Sequence, residues 1–157
     1  MNKVINWLAL NVFGLIISFV YNCVFWLFHL NKLNSTKKKM NSISNLDTRI
    51  MMNKFKWVKD KFDWTPWALT IFYKQFNDDC DGASALGRWS WKQQGIKSTI
   101  YSLKTDTKGH SVCVRDDHTQ FISNNEVIDI DPNIYWEFAI LHLGNTGSYD
   151  YMIKRWW

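Results

Sequence analysis

The longest apolar run in the chain is WLALNVFGLIISFVYNCVFWLFHL, Trp7 to Leu30, which contains no Asp, Glu, Lys or Arg. A bilayer span needs about 20 such residues, so residues 7–30 predict one transmembrane helix. A cleaved signal peptide would have a shorter apolar core and a small-residue cleavage site, and neither is present. The run is apolar on nearly every face, which argues against a buried helix of a soluble protein. Residues 31–44, NKLNSTKKKMNSIS, are rich in Asn, Ser and Lys without apolar periodicity, and they predict a flexible basic linker. Residues 45–157 then form one domain of ordinary size.

Within that domain the spacing of Leu46, Ile50, Phe55, Val58 and Phe62 predicts a first helix, capped by Asn45 or Asp47. DWTPWALTIFYKQF predicts a second, short helix with Thr65 as its cap and Pro66 in its first turn. CDGASALGRWSWKQQG predicts a third, stopped at Gly95. The period then changes. STIYSL (98–103), HSVCVRD (110–116), TQFIS (119–123) and EVIDI (126–130) alternate or are rich in branched residues, with turn signals between them. A last helix is expected after Pro132, over IYWEFAILHL, and SYDYMIKRWW alternates like a closing strand. Helices followed by a meander of antiparallel strands make the domain α+β.

Charge changes the picture in one respect. The net charge is +5, but residues 1–44 carry Lys3, Lys32, Lys37, Lys38 and Lys39 and no acid, while residues 45–157 balance fourteen basic against fourteen acidic side chains. The basic excess therefore belongs to the N-terminal segment, residues 1–44. No Lys/Arg cluster with interleaved aromatics follows residue 45, so nucleic acid is not an expected partner. Lysines crowd the C-terminal side of the span, and by the positive-inside rule the domain is expected in the cytoplasm. Inside the span Asn11, Ser18, Asn22 and His29 recur at intervals of seven, four and seven, near Gly14. That polar stripe predicts packing against another membrane helix, from a second copy or a partner.

Candidate chemistry centres on NDDCDGASALG, where Cys80 falls at the start of the third helix. Unpaired N–H groups and the positive end of the helix dipole favour an anion there, which lowers a thiol's pKa, although the flanking aspartates raise it. Burial as a structural thiol is the alternative. Cys23 lies in the membrane segment, leaving Cys80 and Cys113 in the domain, so no disulfide framework is indicated. A thiolate nucleophile needs a base and a group to orient it. Of His110, His118 and His142, His110 opens a strand after a glycine and is best placed to approach a helix N-terminus. A metal site from Cys80, His110 and Cys113 is disfavoured, because strand alternation puts His110 and Cys113 on opposite faces.

DDCDGASA (78–85), GHSVCV (109–114) and QFISN (120–124), in this order and spacing, together with the preceding FKWVKDKFDWTPW, make residues 46–157 resemble the transglutaminase-like, papain-related cysteine peptidases, in particular their small bacterial and phage members. The resemblance implies a papain/transglutaminase-like core and a thiol acyl-transfer site. Cys80 would be the nucleophile, His110 the general base and then acid, and Asn124 the orienting residue, where many relatives have Asp. It implies no cofactor and no metal, and a peptide or protein as substrate. Gly82 stands where the family often has a second acid, which predicts a looser helix start. The oxyanion hole would use the Cys80 N–H, with Gln75, Asn77, Trp64 or Trp67 as the second donor. Three functions are compatible with these residues: a membrane-tethered cysteine peptidase or amidase, a catalytically silent relative that binds peptides, and an interaction protein driven by its membrane segment.

Overall fold

The protein is described here by a computed structural model covering residues 3–59, 65–142 and 147–155. It is a mixed helix-and-sheet fold with one N-terminal apolar helix. That helix runs continuously from α1 (Lys3–Leu8) through a π-helical turn (Ala9–Phe13) into α2 (Gly14–Phe28), and Val4–Phe28 is long and apolar enough to cross a membrane. In the π turn the Gly14 N–H bonds back to the Ala9 carbonyl. The wider turn brings Asn6 and Asn11, five residues apart, onto the face that also carries Ser18 and Asn22.

The helix lies along the domain. Asn11 Nδ2 donates to the Lys154 carbonyl at 3.1 Å, and Ser18 Oγ accepts from the Thr65 N–H at 3.0 Å. Asn22 Oδ1 accepts from the Trp67 N–H and from Thr70 Oγ1, both at 2.8 Å, and Trp26 Nε1 donates to Thr70 Oγ1 at 3.2 Å. The stripe expected to meet another helix is thus satisfied by the chain's own domain. His29, its fourth member, caps the helix, stacks on Phe25 and meets Tyr73 edge-on.

The segment expected as a flexible linker is helical. In α3 (Leu30–Ser42), Thr36 is buried, and Met40 and the following Ile43 pack on the core. Thr36, Met40 and Ile43 form an inward stripe that the intervening lysines and asparagines mask. The first domain helix is shorter than its periodicity predicts. In α4 (Thr48–Met52), Asp47 is the cap, its side chain accepting from the Arg49 N–H at 2.8 Å. The chain then turns extended, because Lys56 N and Val58 N bond to the carbonyls of Phe76 and Asp78. This parallel pairing joins β1 (Lys56–Trp57) to β2 (Asn77–Asp78), directly before Cys80. Phe62 and Trp64 fall outside the described residues. The next helix, α5 (Ala68–Tyr73), starts later than expected, with Trp67 at its cap position, because the Thr65 and Trp67 amides are engaged by the apolar helix.

The third predicted helix forms as α6 (Cys80–Gln93), followed by Gly95 at φ +74°. Five antiparallel strands follow: β3 (Ser98–Lys104), β4 (Gly109–Arg115), β5 (Gln120–Ser123), β6 (Glu126–Asp129) and β7 (Tyr151–Lys154), in the order β6-β5-β4-β3-β7. The last helix, α7 (Trp136–His142), precedes β7, and Trp156 and Trp157 lie outside the described residues. Alternation splits the sheet into two faces. Ile100, Cys113 and Ile122 join Ala83 and Leu86 of α6 in one core, while Leu103, Val112, Val114 and Phe121 join Ala139 and Ile140 of α7 in the other.

Candidate functional site

Cys80 is the first residue of α6, and three aspartates shape its approach. Asp78, fully buried, accepts from Lys74 Nζ at 2.9 Å and from the Asp79 N–H at 3.0 Å. Asp79 caps the helix, accepting from the Asp81 N–H at 3.0 Å. Asp81 forms a buried ion pair with Arg155 at 2.9 Å and accepts from Thr65 Oγ1 at 3.1 Å. Arg155 also donates to Thr65 Oγ1 and, through Nε, to Ser102 Oγ at 2.7 Å. Each guanidinium nitrogen and each carboxylate oxygen of the ion pair therefore has a hydrogen-bond partner, the condition under which buried charges persist. Gly82 does not loosen this start. A Cβ there would lie 2.4 Å from Asp78 Cβ, so glycine permits a tight approach of the helix to the strand that leads into it.

The Cys80 thiol faces the backbone N–H of Ser111 on β4. Burial pushes its pKa up to about 12, the charges of Asp81 and Asp79 add to this, and the Ser111 N–H and Arg155 only partly oppose it. In this state the thiol is protonated at neutral pH. The helix dipole, which the sequence alone would credit with activating it, is outweighed by desolvation and two neighbouring carboxylates.

His110, immediately before Ser111, is also buried, and burial pulls its pKa down to about 4 although Asp81 acts in the opposite direction. Its Nε2 lies 2.9 Å from Ser123 Oγ, and its ring stacks on Tyr149 with centroids 6.0 Å apart. Cys80 and His110 thus flank the same end of β4. Among the described residues no hydrogen bond joins the thiol to the ring. His110 shares the face of Val112 and Val114, whereas Cys113 looks toward α6.

The third position differs from the expectation. Ser123, not Asn124, meets the imidazole, because the β4–β5 register sets Ser123 opposite Val112, on the face His110 uses. Asn124 is a turn residue at φ +52° between β5 and β6. Strand alternation held the signal: in Phe121–Ile122–Ser123–Asn124 a polar residue on the Phe121 face can only be Ser123. The Asp81–Arg155–Thr65 cluster had no signal in sequence spacing, since its members are far apart in the chain.

The Asn77 amide is held by the Lys74 carbonyl at 2.7 Å, and Gln75 sits in a left-handed turn at φ +57° beside Tyr73 and Lys39, so neither points to a donor role at Cys80. Trp67 packs edge-on against Phe19 of the apolar helix, and Trp64 is outside the described residues. His118 stacks flat on Trp136 at 4.0 Å, and His142 packs on Phe138. Among the described residues no three His, Cys, Asp or Glu side chains gather as metal ligands. Comparison with protein-family models, curated proteins and solved structures gives no match to this chain.

Proposed function

We propose that the protein is a membrane-attached thiol acyl-transfer enzyme of papain/transglutaminase-like architecture, a cysteine peptidase or amidase that acts on peptide or protein substrates on the cytoplasmic side. Cys80 is the nucleophile, His110 the general base and then acid, and Ser123 takes the orienting role that the family resemblance gives to Asn124. The observation that carries this reading is the His110 Nε2–Ser123 contact at 2.9 Å beside the strand end where Cys80 opens α6. With Nε2 held by Ser123, Nδ1 is the nitrogen left for the thiol proton. Attack of Sγ on a carbonyl forms a C–S bond as the proton passes to the ring; the ring returns it to the departing amine, and water then releases the acid from the thioester. The Cys80 N–H, at a helix N-terminus, supplies an oxyanion donor.

A second reading, a catalytically silent domain that binds peptides, is favoured by the neutral thiol and neutral imidazole of the resting state. The two separate on one experiment. The full chain is incubated with an electrophilic acyl-transfer probe and the adduct is mapped by mass spectrometry. Adduct on Cys80 that is lost in His110→Ala, with a peptide library cleaved or deamidated by the parent only, supports the enzyme. Adduct formation indifferent to His110, with no product, supports the binding domain.

A further inference from the structure

The apolar helix is inverted relative to an ordinary surface helix. Its polar side chains Asn11, Ser18 and Asn22 are buried against the domain, at 7%, 3% and 0% exposure, while Phe13, Phe19, Val20, Leu27 and Phe28 stand 53% to 81% exposed. The docked face is engaged from Asn6, whose Nδ2 reaches the Tyr151 hydroxyl, to Trp26 on Thr70. Twenty residues of helix cover about 30 Å, the whole thickness of a bilayer's hydrocarbon core. A spanning placement in this docked form would carry Thr65, Lys154 and the buried Arg155–Asp81 pair into hydrocarbon, where polar backbone and charge are strongly disfavoured.

We propose that Val4–Phe28 lies in the plane of an anionic bilayer surface. Its exposed apolar face is sunk at the headgroup–acyl boundary, and the domain is held above it on one side. This rests on the membrane attachment in the proposed function but not on its chemistry. Lipid is the occupant the chain favours on two counts. The exposed face is continuous along the helix, as an interfacial helix requires. The adjoining α3 then presents Lys32, Lys37, Lys38 and Lys39, all exposed, in a region without acidic residues, which complements anionic headgroups. The hydrogen-bonded polar face fixes which side of the helix looks at lipid.

The test uses the full chain in sealed vesicles of phosphatidylserine and phosphatidylcholine, in a Cys23→Ala background, with Lys3→Cys and Asn45→Cys labelled separately by a membrane-impermeant maleimide. Protein added from outside should float with the vesicles. Both positions should label from outside without detergent, and binding should fall several-fold on omitting phosphatidylserine. Val20→Asp and Leu27→Asp together, at exposed positions that leave the fold intact by circular dichroism, should weaken flotation about tenfold or more. Labelling of the two ends from opposite sides would overturn the in-plane placement and leave membrane attachment standing. Absence of flotation, with a dimer in solution that Leu27→Asp dissociates, would overturn both and assign the apolar face to a second copy. Retained flotation after the two Asp substitutions would also overturn it.

Discussion

Thr70 Oγ1 donates to Asn22 Oδ1 at 2.8 Å, and both residues are fully buried, so an asparagine from the middle of an apolar helix is locked to the soluble domain. The same Asn22 oxygen accepts from the N–H of Trp67, which as the N-cap of α5 has no intrahelical partner. Asn22→Leu keeps the branched shape, with larger methyl ends, and leaves both donors unsatisfied, at a cost of about 1–3 kcal/mol each. The expected outcome is faster hydrogen exchange at the Trp67 amide and release of the helix, with exchange in β3 and β4 unchanged. Equal protection in the variant would mean that the contact does not hold the helix.

Thiol reactivity gives the second prediction. With its pKa pushed up to about 12, Cys80 should alkylate slowly at pH 7, and its rate should still be rising at pH 10. Asp79→Asn keeps an acceptor for the cap and removes one of the two carboxylates that hold the pKa up. Iodoacetamide labelling of Cys80 at pH 8 should then rise a few-fold, with labelling of the fully buried Cys113 unaffected. A plateau in the parent's rate below pH 8 would show a thiolate already formed.

Burial of neutral His110 makes stability pH-dependent. Its folded pKa, about 4, lies below the ordinary value of 6.5, so the unfolded chain binds a proton that the folded one refuses. The effect is absent above pH 6.5, grows as pH falls, and is complete below pH 4, where it removes on the order of 3 kcal/mol. His110→Gln should flatten this part of the urea-denaturation profile between pH 7 and 4. A parent profile flat over that range would contradict the buried neutral ring.

Ser123 and Asn124 are distinguished by substitution. Ser123→Ala removes the ring's hydroxyl partner and should lower turnover of any substrate about tenfold or more, with a shift in the pH profile assigned to His110. Asn124→Gly, at a left-handed turn position that glycine adopts freely, should leave both turnover and stability near the parent's. The reverse pattern would return the orienting role to Asn124.

Much of this fold is legible from local pattern. The apolar run, the helix from Cys80, the stop at Gly95 and the β-meander all follow from periods of 3.6 and 2 and from turn residues, because each depends on neighbours within a few positions. Cys80 and His110 stand out for the same reason, as a helix start and a strand start. Local pattern misplaces what distant contacts override. The lysine-rich segment becomes helix α3 because Thr36 and Met40 find the core, and the first domain helix stops at Met52 because Lys56 and Val58 pair with the stretch leading to Cys80. Only the tertiary structure shows Ser123 rather than Asn124 meeting the His110 ring, since that contact is a matter of strand register. Only it showed the Cys80 thiol buried, which adds to the upward push of the flanking aspartates. The sequence alone determined that residues 7–30 are long and apolar enough for a membrane helix. Which face they offer was decided by the domain, whose Thr65, Trp67 and Thr70 satisfy the helix's polar groups and leave the apolar ones outside.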